Sequence, residues 1–400
     1  MAGTRAMQAG KRWDMIEAVP LTKPPGSHWF GYYDKWQFDR SGTRILGQRS
    51  SFDLRMPKAG DEIEIGLVDL TQAEMPWQRL GNTKAWHWQA GCMLQWVPGC
   101  SEPEVCIWND IRDGKFISRV LNPDTGEARD LPAPVFSLHP DGTRALTIDF
   151  HRLEDMRPGY GYYGSSDPNF EVLAPANAGI WVMDLESGEP ELIVALAEIA
   201  EIPWPWGDLS TAKHYFNVLL CNPSGTRLLF LHRWRFPGQG FQTRLVICAM
   251  DGSDIRVVDD SGHTSHLIWK DDETILAWSR PCGQPAGFWL FPAGGGEPEP
   301  VGQDRMPLNG HCTYLPGGEW ILNDMYPQGA ERLQDLYLYH VATGTRHNLG
   351  QFATAPGFDG ELRCDLHPRS SRDGRKVVID SSHAGNGRQM YLLDVSMLVG

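Results

Sequence analysis

A short sequence phrase recurs along the chain, in which a turn built on Gly or Asp is followed by a run of aliphatic residues. A second phrase, an alternating apolar stretch that often ends in an acidic or Gly turn, falls between the copies. Period-two alternation bounded by such turns is typical of antiparallel β-hairpins, and no long helical period competes with it. The copies of the first phrase are DRSGTRIL (39–46), HPDGTRALTI (139–148), NPSGTRLLFL (222–231), KDDETILAW (270–278), LPGGEWIL (315–322) and SRDGRKVVI (371–379).

Pairing the two phrases gives seven units if the segment 97–108 is taken as a degenerate copy. Each unit is about one four-stranded sheet, which cannot bury both of its faces alone. Radial closure covers these faces and leaves few exposed sheet edges, so the repeat predicts an all-β fold, a seven-bladed β-propeller. A two-sheet sandwich and a pair of smaller β domains are the alternatives. We expect residues 1–400 to form a single domain, with a strand at about 13–19 completing the last blade and long insertions at 151–178 and 195–213.

The balance of charge bears on the class of partner. The formal net charge is −14 and the pI is about 5.4, which argues against a nucleic-acid surface because such a surface needs a basic face. An anionic oligosaccharide held by local arginines remains compatible with this charge. The N-terminal segment lacks the apolar core of a signal peptide, and no segment approaches a membrane span. We therefore expect a cytoplasmic protein, unless a leader has been removed.

Five of the thirteen histidines precede the turn of a blade, which places them on the innermost strands: His28, His214, His266, His311 and His367. The first strand of each propeller blade lines the central channel, so residues at one level of successive first strands converge. A lone histidine in a strand is usually a core or turn residue, but repetition at one register favours a shared pocket. His87, within AWHWQAG (85–91), could join the group or pack among the neighbouring tryptophans.

The last two blades carry the metal-ligand candidates. GHCTY (310–314) supplies His311, and RCDLHP (363–368) supplies Asp365 and His367. Positions i and i+2 of a strand share one face, so Asp365 and His367 are predicted to grip one ion, with His311 from the neighbouring blade and His266 as a possible fourth group. Nitrogen and carboxylate ligands with open positions suit Mn²⁺, Zn²⁺ or Fe²⁺, and Ca²⁺ if oxygen ligands dominate.

Three segments of the last blades resemble oligogalacturonate lyase: SHLIW (265–269), GHCTYLPGGEWIL (310–322) and LRCDLHPRSSRDGRKVV (362–378). Members of that family are seven-bladed propellers that cleave oligouronides by β-elimination around a Mn²⁺ ion. The resemblance implies a pocket histidine at His266 and a metal ligand at His311. It places Leu362, Asp365 and His367 where the family has a glutamine and two histidines, so that one ligand is lost and another is changed.

The first four blades are similar, more diffusely, to the ulvan lyases and rhamnose-glucuronate lyases. The segments that carry this similarity are GYYDKWQFD (31–39), HWQAGCMLQW (87–96), RPGYGYY (157–163) and LFLHRW (229–234). Ulvan lyases have a pair of histidines on the second blade, and the positions that appear equivalent here are Gln89 and Asn109. Their acid–base arrangement therefore does not transfer to this chain.

β-Elimination from a uronate needs neutralisation of the carboxylate, a base for the adjacent C–H, and an acid for the leaving oxygen. Arginine or a metal suits the first task, and histidine or tyrosine suits the others. The candidates for catalysis are His214, His266, Tyr160, Tyr162 and Arg233. The candidates for substrate binding are His28, Tyr32, His87, Gln89, Asn109, Arg157, Arg235 and Arg280.

Two other classes of function stay open beside a uronate lyase. A glycoside hydrolase could use the same scaffold, for example to release a rhamnose that caps a glucuronide. A non-catalytic propeller could bind a partner on its rim, because fold alone does not imply function. Serine-hydrolase and P-loop readings find no support, since G-x-S-x-G and G-x-x-x-x-G-K-[ST] are both absent from the sequence.

Overall fold

The computed structural model describes residues 16–99 and 104–400, and the residues 13–15 of the expected closing strand lie outside this part. Seven antiparallel sheets of four strands each form a ring around a central channel. The first strands of four successive blades contact one another, as an inner wall requires. The seven-bladed β-propeller predicted from the repeat is thereby confirmed.

The first four blades follow the chain without exchange of strands. Blade 1 contains β2 (Ser27–Trp29), β3 (Arg44–Ser50), β4 (Ile63–Asp69) and β5 (Trp77–Thr83). Blade 2 contains β6 (Gln95–Trp96), β7 (Cys106–Arg112), β8 (Lys115–Leu121) and β9 (Ala128–Leu131). Blade 3 contains β10 (Ser137–Leu138), β11 (Arg144–Thr147), β12 (Gly179–Asp184) and β13 (Pro190–Ala195). Blade 4 contains β14 (Lys213–Cys221), β15 (Arg227–Arg235), β16 (Phe241–Ala249) and β17 (Arg256–Asp259).

The last three blades differ only in how the ring closes. Blade 5 contains β18 (Leu267–Trp269), β19 (Thr274–Ser279), β20 (Gly287–Pro292) and β21 (Glu299–Val301). Blade 6 contains β22 (Thr313–Tyr314), β23 (Trp320–Asp324), β24 (Leu333–His340) and β25 (Thr345–Ala353). Blade 7 contains β26 (Arg369–Ser370), β27 (Lys376–Ser381), β28 (Gln389–Asp394) and, as its outer strand, β1 (Val19–Pro20).

Within residues 16–99 and 104–400, helical structure is confined to connections and the C-terminal end. The helices are α1 (Phe150–Met156), α2 (Leu196–Ala200), a 3₁₀ turn at Gly360–Leu362 and α3 (Ser396–Val399). No helix in the described ranges has the length and apolar character needed to cross a membrane. The helices α1 and α2 belong to the two insertions expected at 151–178 and 195–213, so the insertions lengthen connections without disturbing the blades.

Apolar side chains fill the spaces between neighbouring blades. The aliphatic runs that follow the Gly and Asp turns supply the second strand of each blade, and these residues are almost completely buried. Several tryptophans belong to this core, with Trp29, Trp86, Trp96 and Trp234 less than 2 % exposed. These tryptophans therefore fill the blades and are not available for stacking on a sugar.

Two sets of connections emerge on the same side of the ring, which we call the loop face. One set leads from the outer strand of a blade into the first strand of the next blade, and the other joins the second and third strands of a blade. The helix α1 lies in a connection of the second set, between β11 and β12, and α2 lies in the connection that leads into β14. Both insertions therefore rise from the loop face.

The chain closes its ring through β1. Val19 pairs with Leu392 and Pro20 with Tyr391 of β28, in an antiparallel arrangement. The pairing continues beyond β1, where the Leu21 backbone N–H donates to the Met390 carbonyl at 2.9 Å. An edge of blade 7 is thus covered by a segment distant in sequence.

We expect deletion of residues 1–22 to lower the thermal unfolding midpoint by several degrees. The deletion removes several backbone hydrogen bonds to blade 7, each of which contributes about 1 kcal/mol, and it opens the ring. Differential scanning calorimetry would measure the change. A chain that begins at residue 13 keeps β1 and serves as the reference. Equal midpoints for the two truncated chains would contradict the role assigned to β1.

Candidate functional site

A cavity of about 270 Å³ opens on the loop face and receives side chains from five blades and one insertion. Tyr32 enters it after β2, and the insertion between β11 and β12 contributes Arg157 and Tyr160. Blades 4 to 7 supply the other side chains. The lining residues with polar side chains that matter below are Asn217, Arg233, His263, His266, His311, Tyr326 and Arg363. We call this space the central cavity.

Beside the central cavity lie three buried side chains that could hold a metal ion: His311, Asp365 and His367. One ligand atom from each lies within 4.8 Å of the others, and the two imidazole centroids are 4.2 Å apart. The Nε2 atoms of both histidines and Oδ1 of Asp365 are buried without a hydrogen-bond partner among the described residues. Because unpaired buried polar atoms are costly, and two imidazoles with a carboxylate suit a divalent transition-metal ion, this donor set fits a metal.

A carboxylate from the neighbouring strand fixes this cluster. Asp324, at the end of β23, accepts from Nδ1 of His311 at 2.9 Å and from the backbone N–H of His367 at 3.1 Å. A carboxylate on Nδ1 sets the tautomer and directs Nε2 toward the cluster, which is the usual outer support of a metal-binding histidine. On the other side, Arg363 Nε donates to Oδ2 of Asp365 at 2.6 Å, while Oδ1 has no hydrogen-bond partner among the described residues.

Asp365 and His367 converge for a reason other than the predicted strand periodicity. They do not share the face of a strand, because both lie in the connection that ends where β26 begins at Arg369. His367 has a φ of +42°, which a regular strand does not contain. Leu362 packs against an apolar cluster formed by side chains of blades 1, 2 and 7.

His266 lies between the metal candidates and two polar side chains. Its ring centroid is 4.3 Å from that of His311. Nδ1 donates a hydrogen bond to Oδ1 of Asn309 at 2.9 Å, because an amide oxygen can only accept. Nε2 therefore keeps its lone pair and faces the hydroxyl of Tyr326 at 3.2 Å. Burial lowers the pKa of His266 well below its usual 6.5. The imidazole is therefore neutral near pH 7, with Nε2 available as an acceptor.

Two arginines give the opposite wall of the central cavity its positive charge. The guanidinium carbons of Arg233 and Arg157 lie 4.7 Å and 5.1 Å from the ring centroid of Phe241. Nε and Nη1 of Arg233 are buried and have no hydrogen-bond partner in the part of the chain that the structure describes. Burial, and then the charge of Arg157, lower the pKa of Arg233. A buried cation with free donors favours an anionic ligand.

A β-bulge shapes the floor between these two walls. The register of β14 against β15 shifts between Asn217 and Leu219, and Val218 adopts a φ of +58°. A left-handed conformation is strained for a β-branched residue, and bulges of this kind often redirect a side chain near a functional site. Here both Asn217 and Val218 line the central cavity.

Three tyrosines offer hydroxyl groups around the central cavity. The hydroxyl of Tyr160 accepts from Nη2 of Arg363 at 2.7 Å. Burial raises the pKa of Tyr326 well above 10, and it also raises the pKa of Tyr32, whose ring centroid lies 5.3 Å from that of His367. The phenols of Tyr32 and Tyr326 are thus protonated near neutral pH and can donate hydrogen bonds to a ligand.

The structure does not bring His214 or Tyr162 to the central cavity. His214 lines another cavity, where Nδ1 lies 2.9 Å from Nε2 of His232, and burial lowers the pKa of His214 to about 4. Tyr162 lies in the core, where it stacks on Phe150 at 4.4 Å between centroids and accepts from Nδ2 of Asn109 at 2.9 Å. None of His214, Tyr162 and Asn109 lines the central cavity.

Other candidates for substrate binding also lie outside the central cavity. Nδ1 of His28 lies 3.1 Å from Oε1 of Gln389 in blade 7. Gln89 donates to two backbone carbonyls of the segment 361–363 and so supports the connection that carries Asp365. His87 is buried beneath Tyr160, with 5.9 Å between ring centroids, and its pKa falls to about 3 because of burial. The remaining two, which do not line the cavity, are Arg235 and Arg280.

Solved structures of known proteins superpose on this chain, whereas comparisons of sequence find no match. No family model matches the sequence, and no curated protein matches it. A solved structure titled oligogalacturonate lyase in complex with manganese superposes with a TM-score of 0.67 at 16 % identity, over 95 % of this chain and 94 % of that one. The fold resembles that of oligogalacturonate lyase. The resemblance noted in the last blades is thereby confirmed at the level of fold.

Two further structures show the range of proteins that share this architecture. An oligogalacturonate lyase from Vibrio parahaemolyticus has a TM-score of 0.67 at 15 % identity, over 95 % of this chain and 94 % of that one. A puromycin-hydrolysing peptidase from Mycobacterium tuberculosis has a TM-score of 0.53 at 14 % identity, over 94 % of this chain and 55 % of that one. At such identities the shared feature is the propeller, so function must be argued from the site.

Proposed function

We propose that the protein is a lyase that cleaves a uronate-containing oligosaccharide by β-elimination in the central cavity. The observation that carries the proposal is Arg233, whose buried guanidinium has free donors and faces a cavity that also contains His266. A cation for a carboxylate and a neutral imidazole for a proton are what this reaction needs. The fold shared with a manganese complex of oligogalacturonate lyase gives independent support.

The first requirement is stabilisation of the charge that develops on the substrate carboxylate when the adjacent carbon loses its proton. Arg233 and Arg157 can bind the carboxylate oxygens, because fixed donors in a buried site stabilise a developing anion more strongly than water does. A divalent ion held by His311, Asp365 and His367 would supply Lewis-acid neutralisation of the same carboxylate.

The second requirement is movement of the proton. His266 is the base in this proposal, because Nε2 has a lone pair and lies within the central cavity. As the proton leaves the carbon next to the carboxylate, the bond from the neighbouring carbon to the glycosidic oxygen breaks and a carbon–carbon double bond forms. Tyr326 or Tyr160 can donate the proton that the leaving oxygen needs.

The reaction class is tested with purified protein and a panel of oligouronides and rhamnose-capped glucuronides. A lyase forms a double bond conjugated with the carboxylate, which gives new ultraviolet absorbance together with new reducing ends. New reducing ends without that absorbance would identify a glycoside hydrolase. Silence in both assays across the panel would contradict an enzymatic function on these substrates and favour a binding module.

We expect His367→Ala to reduce metal binding by at least about tenfold, because loss of a ligand or of its support typically costs that much. Elemental analysis after equilibration with Mn²⁺, Zn²⁺, Fe²⁺ or Ca²⁺ would measure the ion content of each variant. Removal of the ion with EDTA should abolish β-elimination and restoration of the ion should recover it. His347→Ala, a change in the outer strand of blade 6, is the control. Equal ion content in His367→Ala and His347→Ala would contradict the proposed metal site.

We expect Arg233→Met to weaken binding of a uronate by roughly thirtyfold or more and to raise the thermal midpoint of the ligand-free protein. The loss follows because a buried charged hydrogen bond is worth about 2 kcal/mol or more. The gain in stability follows because an unpaired buried charge is removed. Calorimetry gives both quantities.

The matched control for this change lies on the same blade. Arg256→Met removes an arginine whose partner is the exposed side chain of Asp254, with 2.9 Å between them, and it should alter neither quantity. If Arg233→Met lowered the thermal midpoint as well as the uronate affinity, the change would act as a defect of the core. Arg233 would then not be a ligand-binding residue.

A further inference from the structure

A second cavity, of about 550 Å³, lies on the loop face outside the central cavity. Leu173 and Ala174 of the first insertion form one side, and α2 contributes Ala197 and Ala200. The segment that leads from α2 into β14 completes it with Trp204. We call this space the outer cavity. It occupies the gap between two insertions that a minimal propeller does not need.

The two cavities share a wall. Nε1 of Trp204, in the outer cavity, donates to the carbonyl of Asp260 at 3.0 Å. A Cβ atom on Gly262 would lie 3.7 Å from the same indole. Gly262 and the exposed His263 belong to the lining of the central cavity. Trp204 and Gly262 thus lie between two adjacent cavities on the same side of the ring, where one oligosaccharide chain can contact both.

The charges of the two cavities differ. Arg157, Arg233 and Arg363 line the central cavity. In the outer cavity the charged lining side chains within the described ranges are Glu201 and Asp208, both exposed. Like charges repel, so a second uronate is disfavoured there. A neutral sugar is suited to the outer cavity, since carboxylates accept hydrogen bonds from hydroxyl groups and an indole offers an apolar face.

Aromatic exposure next to the outer cavity agrees with this chemistry. Trp206 lies in the same segment as Trp204 and is 56 % exposed, while Phe170 of the first insertion is 53 % exposed. Most other tryptophans of the chain that the structure describes are buried in blades. Flat aromatic faces near polar acceptors are the combination that binds the apolar and hydroxyl faces of a sugar ring.

We propose that the outer cavity binds a neutral sugar residue of the same oligosaccharide whose uronate occupies the central cavity. The inference rests on the proposed function and narrows its substrate class. The preferred substrates are oligosaccharides in which the uronate is linked to neutral sugars, rather than chains composed of uronates alone.

The test compares β-elimination on two trisaccharides of equal length, one of three uronates and one with a uronate linked to two neutral sugars. The wild-type protein should prefer the mixed trisaccharide in kcat/KM by at least about tenfold. Ala200→Trp fills the outer cavity and should remove this preference while activity on a uronate disaccharide is retained. Ala249→Trp, in a groove on the opposite side of the ring, should keep the preference.

Charge reversal gives a second test that changes the charge of the outer cavity without filling it. Asp208 is exposed, so Asp208→Lys should fold normally and should raise kcat/KM for the trisaccharide of three uronates relative to the mixed one. No preference in the wild-type protein, or the same preference in Ala200→Trp and Ala249→Trp, would overturn the inference while the proposed lyase activity stands.

Binding distinguishes failure of the inference from failure of the proposed function. If no oligosaccharide is cleaved, saturation-transfer NMR with a neutral disaccharide is measured on wild-type protein, Ala200→Trp and Ala249→Trp. Contact that is lost only in Ala200→Trp supports the outer cavity although the lyase proposal fails. Absence of contact in the wild-type protein overturns both.

Discussion

Replacing His266 with Gln is expected to lower kcat for oligouronide cleavage by about 10²- to 10⁴-fold, the usual contribution of a general base. Gln keeps a polar side chain that can bond to Asn309 and Tyr326, but it cannot accept a proton near neutral pH. Substrate affinity should change little, because in the proposed mechanism Arg233 and Arg157 bind the carboxylate. Steady-state kinetics followed by ultraviolet absorbance would separate the two parameters.

Two comparisons make this result specific. His340→Gln replaces a histidine whose Nδ1 lies 2.9 Å from the hydroxyl of Thr343 in a turn, and it should leave kcat unchanged. The ion content of His266→Gln should equal that of the wild-type protein, because His266 bonds to Asn309 and Tyr326. Retention of more than a tenth of the wild-type kcat would remove His266 from the role of base.

The repeat makes the fold predictable from sequence because it is a property of every blade. Turns such as those at 39–42 and 139–142 mark where a hairpin reverses, and the aliphatic residues after them mark a buried second strand. Even the degenerate second blade keeps its strand order, with β7 at Cys106–Arg112. What the pattern does not specify is the course of connections, because these lack a period.

Much of the candidate site lies in those connections, so the repeat predicted only some of its residues. The register that singled out His266, His311 and His367 also singled out His28 and His214, although only the first three come together. His28 bonds to Gln389 and His214 bonds to His232, and neither ring lies in the central cavity. The position of each histidine in the sequence predicted its level along the channel. The direction of its side chain depended on tertiary contacts, which the sequence pattern does not contain.

The sequence did not predict several residues of the site, because only the folded structure brings them next to the other site residues. Asp324 ends an ordinary strand, and nothing in its sequence neighbourhood shows that it supports both His311 and His367. Tyr326 and Arg363 follow or precede strands in loops without a motif. One feature of the sequence could have indicated Asp324. It is an acidic residue at the end of the strand that follows His311, and a tight hairpin brings such a residue next to the histidine.

Closure of the ring depends on a buried ion pair as well as on β1. Arg369, in β26, donates to both carboxylate oxygens of Asp380, in β27, at 2.8 Å and 3.1 Å. Nε of Arg369 also donates to Oε1 of Gln37 at 2.8 Å, and Asp380 accepts from the backbone N–H of Phe30 at 3.2 Å. Blade 7 is thereby joined to blade 1 through groups that are almost completely buried.

Arg369→Met is expected to lower the free energy of unfolding by about 3–5 kcal/mol, because it leaves the Asp380 carboxylate buried without its partner. Urea denaturation would measure the loss, with Arg256→Met, at an exposed ion pair, as a control that should cost less than about 1 kcal/mol. Arg369→Met combined with Asp380→Leu should recover much of the loss, since no charge then remains buried. A double variant no more stable than Arg369→Met alone would show that the join acts through the hydrogen bonds to blade 1 rather than through charge compensation.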